Sequence, residues 1–164
     1  MLNDKKEVSA EIYDLILKLK ERGVTFVAAS GRQYFNLIDS FEPIKEDIYY
    51  IAENGIYILK GSEELSISEL PKPLIEKQLD VADQIPEVCP ILCGKGKAYV
   101  TSDEERVITQ VKPYYTRYEV IDDTHKEDSE IFKIAFLDFI NSEENVYPHN
   151  QAYTDQLQIS VSAH

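Results

Sequence analysis

The chain has 164 residues, 43% of them hydrophobic and 29% charged, which suits a soluble globular protein of one compact domain or two small ones. A formal net charge of -13 repels phosphate backbones and anionic lipid, so nucleic-acid and membrane-surface partners are disfavoured. No apolar run approaches the roughly 20 residues that span a bilayer, and the charged opening MLNDKKEVSAE lacks the apolar stretch of a signal peptide, which points to the cytoplasm.

Val8 to Gly23 reads as an amphipathic helix, with Val8, Ile12, Leu15, Ile16 and Leu19 on one face. Ser9 is its expected N-cap, and Gly23 its stop. Val24 to Ala29 is a short, continuous, β-branched run, expected as a strand buried on both faces in a parallel sheet. Ser30-Gly31-Arg32 ends it, and Gln33 to Phe41 forms the next helix. Ile48 to Ala52 is a second buried strand, closed by Glu53-Asn54-Gly55. Ile56 to Leu59 and Leu65 to Ile67 make a hairpin around Lys60-Gly61-Ser62. Helix and strand alternating through short loops predict an α/β layer.

The character changes near Pro71 and Pro73. A helix is predicted over Pro71 to Ile85, with Leu74, Ile75, Leu79, Ala82 and Ile85 as its stripe. Strands follow at Val88 to Leu92 and Ala98 to Thr101, around the turn Gly94-Lys95-Gly96-Lys97. Ser102-Asp103-Glu104-Glu105 has the form of a capping box opening a helix to about Val111. Tyr118 to Ile121, Ile131 to Leu137 and Leu157 to Val161 are further strands, and residues 141–155 read as a loop. The expected fold is α/β: a partial Rossmann-like parallel sheet at 1–70, followed by a cap-like α+β unit at 71–164.

The segment that carries chemistry is Gly23 to Arg32. A hydroxyl at the carboxyl end of a parallel strand sits where open α/β sheets bind ligands. Gly31 lets the backbone approach a ligand, the following helix offers N–H groups to an anion, Ser30 could donate to a phosphate oxygen, and Arg32 could hold charge nearby. Plain turn chemistry is the alternative reading of the same residues.

This stretch resembles the second motif of haloacid dehalogenase-like (HAD) phosphatases of the Cof-type sugar-phosphatase subgroup, which carry a large α+β cap. There a helix ending in Gly leads to a hydrophobic strand and then Thr or Ser followed by Gly-Arg. Met1-Leu2-Asn3-Asp4 resembles the residues just after the family's first motif, and Ile51-Ala52-Glu53-Asn54-Gly55 its Asn-Gly turn beside the active site. The resemblance implies that Ser30 holds the transferring phosphoryl group, that Gly31 and Arg32 shape the loop, and that Asn54 and Gly55 lie at the site edge. It implies a magnesium-dependent phosphatase of small phosphorylated metabolites such as sugar phosphates. Lys95 and Lys97 are its candidates for cap specificity.

The chain departs from the family pattern at the first motif, which supplies the nucleophilic aspartate, and at the third and fourth, which supply a lysine and the acidic magnesium ligands. No catalytic residue and no metal ligand is therefore assigned, and Asp4, beside lysines, reads as solvated. A truncated gene, a misassigned start or assembly into a homo-oligomer through exposed sheet edges is expected. The isolated chain is expected to be catalytically silent. The alternatives are a non-catalytic remnant that binds a phosphate ligand or a partner protein, and a structural fragment without a role.

Other constellations carry less. Cys89 and Cys93 read as buried thiols on a strand rather than zinc ligands. His125, His149 and His164 have no ligand spacing. Asp122-Asp123 and Asp103-Glu104-Glu105 read as solvated charge, and Tyr114, Tyr115 and Tyr118 with Lys112 and Arg117 as an element edge. The Gly94 to Lys97 segment is too short for a P-loop.

Overall fold

The computed structural model describes residues 8–161. The expectations placed on Met1 to Asp4 and on His164 lie outside the described residues. The chain forms two compact units, one of residues 1–68 with 113–116, the other of 69–112 with 117–164.

In the first unit, helix α1 spans Ala10–Glu21 and α2 Tyr34–Ser40, and the strands are β1 (Val27–Ala29), β2 (Tyr49–Ala52), β3 (Tyr57–Lys60) and β4 (Glu63–Ile67). The sheet order is β1-β2-β3-β4, with β1 and β2 parallel and the remaining pairs antiparallel. The parallel βαβ step and the hairpin are thus as the sequence predicts. Ser9 is the N-cap of α1, although its hydroxyl makes no capping bond. At the other end Gly23 turns left-handed, its N–H bonding Lys20 O at 2.9 Å while Val24 N–H bonds Leu19 O at 3.0 Å, the double bond of a Schellman stop. The buried face of α1 centres on Ile16, with Ile12, Tyr13 and Leu17 beside it. Leu15 is 55% exposed, a correction to the predicted stripe, because it lies about 100° around the helix from Ile16.

The run Val24 to Ala29 is also corrected. Only Val27–Ala29 joins the ladder, and only Ala28 is buried, with Val24 and Val27 exposed. The Val24 amide is consumed by the α1 stop, and β1 ends the row of described strands with one face turned to the core. That core gathers around Tyr50, which is fully buried, with Tyr34, Tyr57, Ile48 and Leu59. Tyr34 meets the Tyr50 and Tyr57 rings edge-on at 5.5 and 5.8 Å. Burial also pushes the Tyr50 hydroxyl well above its ordinary pKa, so it stays protonated and donates to Lys45 O at 3.2 Å.

In the second unit, α3 spans Lys72–Asp83, β5 Val88–Gly94, β6 Ala98–Val100, α4 Glu105–Val111, β7 Tyr118–Val120, β8 Ile131–Asp138, α5 Ser142–Asn145 and α6 Tyr147–Asn150. The sheet order is β7-β6-β5-β8. Strand β5 is central, antiparallel to both neighbours, and β6 and β7 run parallel. Leu79 of α3 packs with Leu92, Tyr99 and Ile131. Gly94 N–H bonds Lys97 O at 3.0 Å, which closes the predicted hairpin. From that pair, alternate amides of β5 face β6, so the position with its amide toward β6 beyond Leu92 is Pro90, which has none. The β6 ladder accordingly stops at Ile91↔Val100, while β8 pairs along all of β5.

Three further expectations are corrected here. Ser102 does not cap α4: the helix begins at Glu105 with Glu104 at the N-cap, and the Ser102 hydroxyl instead accepts from Glu104 N–H at 3.2 Å. Residues 141–155 hold α5, α6 and a 3₁₀ turn, because the Asn141 side chain accepts from Glu143 N–H and Val146 and Asn150 are buried. Leu157 to Val161 has the alternation of a strand but joins no ladder, and Val161 is 44% exposed.

Cys89 and Cys93 are both buried on β5, and burial pushes the Cys89 thiol up. Because the thiolate is the reactive form, neither should react with a thiol reagent in the native protein, and both should react in denaturant. Rapid native labelling would show that β5 is not enclosed.

Candidate functional site

The loops after β1 and β2 leave the carboxyl ends of two adjacent parallel strands, and their backbones are tied together. Ser30 N–H donates to Ile51 O at 2.9 Å, Glu53 N–H to Arg32 O at 3.1 Å, and Asn54 N–H to Ser30 O at 3.4 Å. Ser30-Gly31-Arg32 and Asn54-Gly55, 22 positions apart at their nearest members, therefore form one rim.

Within that rim the Ser30 hydroxyl has a defined task. Its Oγ accepts from Arg32 N–H at 3.2 Å. One lone pair is thereby occupied and the O–H proton remains to be given to something else. Arg32 is half-buried at the same turn. Gly31 is bare for a local reason: a Cβ there would run into Asn54 Oδ1, with Asn54 Cγ at 3.2 Å and Nδ2 at 3.5 Å. The next helix, α2, starts at Tyr34 with Gln33 at its N-cap and runs for 7 residues.

Sequence reasoning assigned nothing to Glu53, which is 1% exposed, or to Gln33, which is 3% exposed. Among the described residues they are the buried polar side chains of the first unit, one in each loop. Glu53, Asn54 and Gly55 have φ of 51°, 59° and 97°. Left-handed backbone costs an L-residue roughly 1–2 kcal/mol, so this turn stores strain of the kind found at functional sites. The available signal was a glutamate set between a buried strand and an Asn-Gly pair.

The two lysines of the Gly94 to Lys97 turn belong to the second unit. Lys97 is ion-paired with Glu119 and lies 5.8 Å from the centre of the Tyr99 ring. Lys95 is exposed. His125 Nε2 lies 3.1 Å from Asp83 Oδ2. Asp123 accepts from His125 N–H and pairs with Lys126, and the Lys126 ammonium, followed by that N–H, holds its carboxyl below the usual range. Glu104 pairs with Arg106, which also reaches Glu87.

Magnesium needs several oxygen ligands around it. Among the described residues no cluster of three or more His, Cys, Asp or Glu side chains could hold a metal ion, and the carboxylate nearest in sequence to the rim, Glu53, is enclosed. The described residues do not fit a magnesium site, and no step is derived through one. No helix among them is long and apolar enough to cross a membrane.

A family model described as haloacid dehalogenase-like hydrolase matches residues 1–164. The 5-amino-6-(5-phospho-D-ribitylamino)uracil phosphatase YbjI of Escherichia coli is 30% identical over 150 residues, covering 90% of this chain and 54% of that protein. The chain thus spans about half the length of the curated relative it matches. A solved structure of a Eubacterium rectale protein superposes with a TM-score of 0.85 at 19% identity, covering 94% of this chain and 60% of the other. One from Thermotoga maritima gives 0.83 at 19% identity, covering 99% and 62%. At these identities the two structures establish the fold alone.

Proposed function

Because the chain belongs to the haloacid dehalogenase-like hydrolase family, we propose that its first unit supplies the phosphate-gripping rim of a phosphatase acting on small phosphorylated metabolites such as sugar phosphates. The observation that carries this reading is the Ser30 hydroxyl, whose oxygen is pinned by Arg32 N–H so that its proton is left to donate at the end of a parallel strand pair. A phosphoryl oxygen is the acceptor such a donor suits, and the Arg32 side chain supplies local positive charge in a protein of net charge -13. The similarity to the E. coli phosphatase, whose substrate is a phosphorylated ribityl compound, supports a small organic phosphate over inorganic phosphate as the natural ligand. In this reading residues 1–70 are part of the catalytic core and 71–164 a cap-like unit, with Lys95 and Lys97 its specificity candidates.

Binding is one task and hydrolysis another. Phosphoryl transfer through a covalent intermediate needs a carboxylate nucleophile. The described rim offers a hydroxyl, a guanidinium and an amide, and its carboxylate at Glu53 is enclosed. The 164-residue chain should therefore bind phosphate without turning over a phosphomonoester, with magnesium or with a chelator. Ser30→Ala should weaken binding of inorganic phosphate about tenfold or more, the worth of one hydrogen bond to a charged group, with little change in melting temperature. Magnesium-dependent turnover that survives repurification and is lost in Ser30→Ala would overturn the silent-chain reading. Phosphate binding untouched by Ser30→Ala would overturn the rim itself.

A further inference from the structure

We propose that the Asn54 side-chain amide is a second donor to the anion held by Ser30, aimed by its contact with Gly31; the inference rests on the phosphate-gripping reading of that rim. Three observations carry it. First, Asn54 is fixed by its backbone to the Ser30 loop, through Asn54 N–H to Ser30 O at 3.4 Å, so its side chain starts from the residue whose hydroxyl is the first donor. Second, the amide lies directly over Gly31, and it lies there one way round. The carbonyl oxygen occupies the place a Gly31 Cβ would take, while Nδ2 stands 3.5 Å from that point. Of the two ends of the amide, the acceptor is the nearer to that point and the donor the farther.

Third, the residue is exposed, and among the described residues its amide has no hydrogen-bond partner. Two N–H donors thus stand at a rim where the other oriented donor, the Ser30 O–H, also lacks an acceptor. Both donors are set by fixed neighbours, Arg32 N–H for one and the Gly31 backbone for the other, so neither must reorganise when an anion arrives. A tetrahedral oxyanion offers separate oxygens to two such donors. An uncharged hydroxyl compound offers no such pair of strong acceptors, so the arrangement favours phosphoryl over alcohol groups.

A purely structural role for Asn54 is the competing account, because asparagine tolerates the left-handed φ of 59° found there. Asn54→Gly separates the two. Glycine adopts that backbone at no steric cost, so the fold is kept while the amide is removed. Inorganic phosphate titrated into the full chain, read by amide chemical shifts at residues 30–32 and 54–55, should bind Asn54→Gly roughly tenfold more weakly than the natural chain, with an equal or higher melting temperature. Asn54→Asp keeps the shape and should abolish measurable binding, since a carboxylate replaces the donor. Gly31→Ala displaces the amide without removing it and should weaken binding to a similar degree. If Asn54→Gly binds phosphate as the natural chain does while Ser30→Ala does not, the inference falls and the rim reading stands. If the natural chain itself shows no phosphate-dependent shifts at these residues, both fall.

Discussion

Tyr50→Ala is expected to destabilise the first unit by about 3–5 kcal/mol, enough to consume much of a small domain's stability. Tyr50 is fully buried at the middle of β2, its ring stands 5.5 Å from that of Tyr34, and its hydroxyl donates to Lys45 O. Alanine removes the ring, leaves a cavity that β2 and α2 cannot both close, and orphans a backbone carbonyl. Tyr50→Phe removes only the last of these and should cost about 1 kcal/mol. Urea unfolding of the two variants decides the matter. A Tyr50→Ala chain within about 1 kcal/mol of the natural one would mean that the core does not centre where these contacts put it. Because β2 leads directly into the Glu53 to Gly55 turn, the same substitution should also abolish the phosphate-dependent shifts.

Gly61→Ala is expected to cost about 2–4 kcal/mol, combining left-handed strain with a backbone clash. Gly61 has φ of 54°, and a Cβ there would lie 3.0 Å from Glu46 Cα as well as against the Glu46 carboxylate. The carboxylate can swing away, but the α-carbon cannot. Moving the turn would also strain two bonds that anchor it, Gly61 N–H to Ile48 O and Tyr34 Oη to Gly61 O, both at 3.0 Å. Gly23→Ala is the matched control. Gly23 has φ of 80° and open space where its Cβ would stand, so it should lose only the conformational part, about 1 kcal/mol. Equal losses at the two positions, measured by thermal unfolding, would rule out the close approach of Glu46.

The rim was legible in the sequence because both of its halves are local. Ser30-Gly31-Arg32 and Asn54-Gly55 each follow a short apolar strand by no more than one intervening residue, and parallel pairing of β1 with β2 is enough to bring them side by side. What escaped depended on neighbours that a one-dimensional pattern does not contain. Val24 to Ala29 has the composition of a doubly buried strand, yet Val24 is spent on stopping α1 and Val27 faces outward. Leu157 to Val161 has the alternation of a strand but joins no ladder among the described residues. Ser102 and Glu105 have capping-box spacing, but the Ser102 hydroxyl found Glu104 N–H first, and the helix began two residues later than the pattern implied. The polar stretch at 141–155 reads as loop by composition, while one cap at Asn141 and the burial of Val146 and Asn150 suffice for two short helices. Glu53 went unassigned because a buried glutamate in left-handed backbone has no spacing signature.

Pro90 has one more consequence, for the alignments the second sheet can mistakenly adopt. A slip of β6 along β5 by one residue would turn Tyr99 from its cluster with Leu92 to the opposite side. A slip by two in the direction of Val88 would keep every side chain on its own side and is therefore the dangerous error. It would set Pro90 opposite Tyr99, where Leu92 now stands, and Pro90 has no amide to give. The hairpin can misalign in that direction only by forfeiting a ladder bond at its centre, so a single missing hydrogen discriminates against a mispairing that hydrophobic patterning cannot reject.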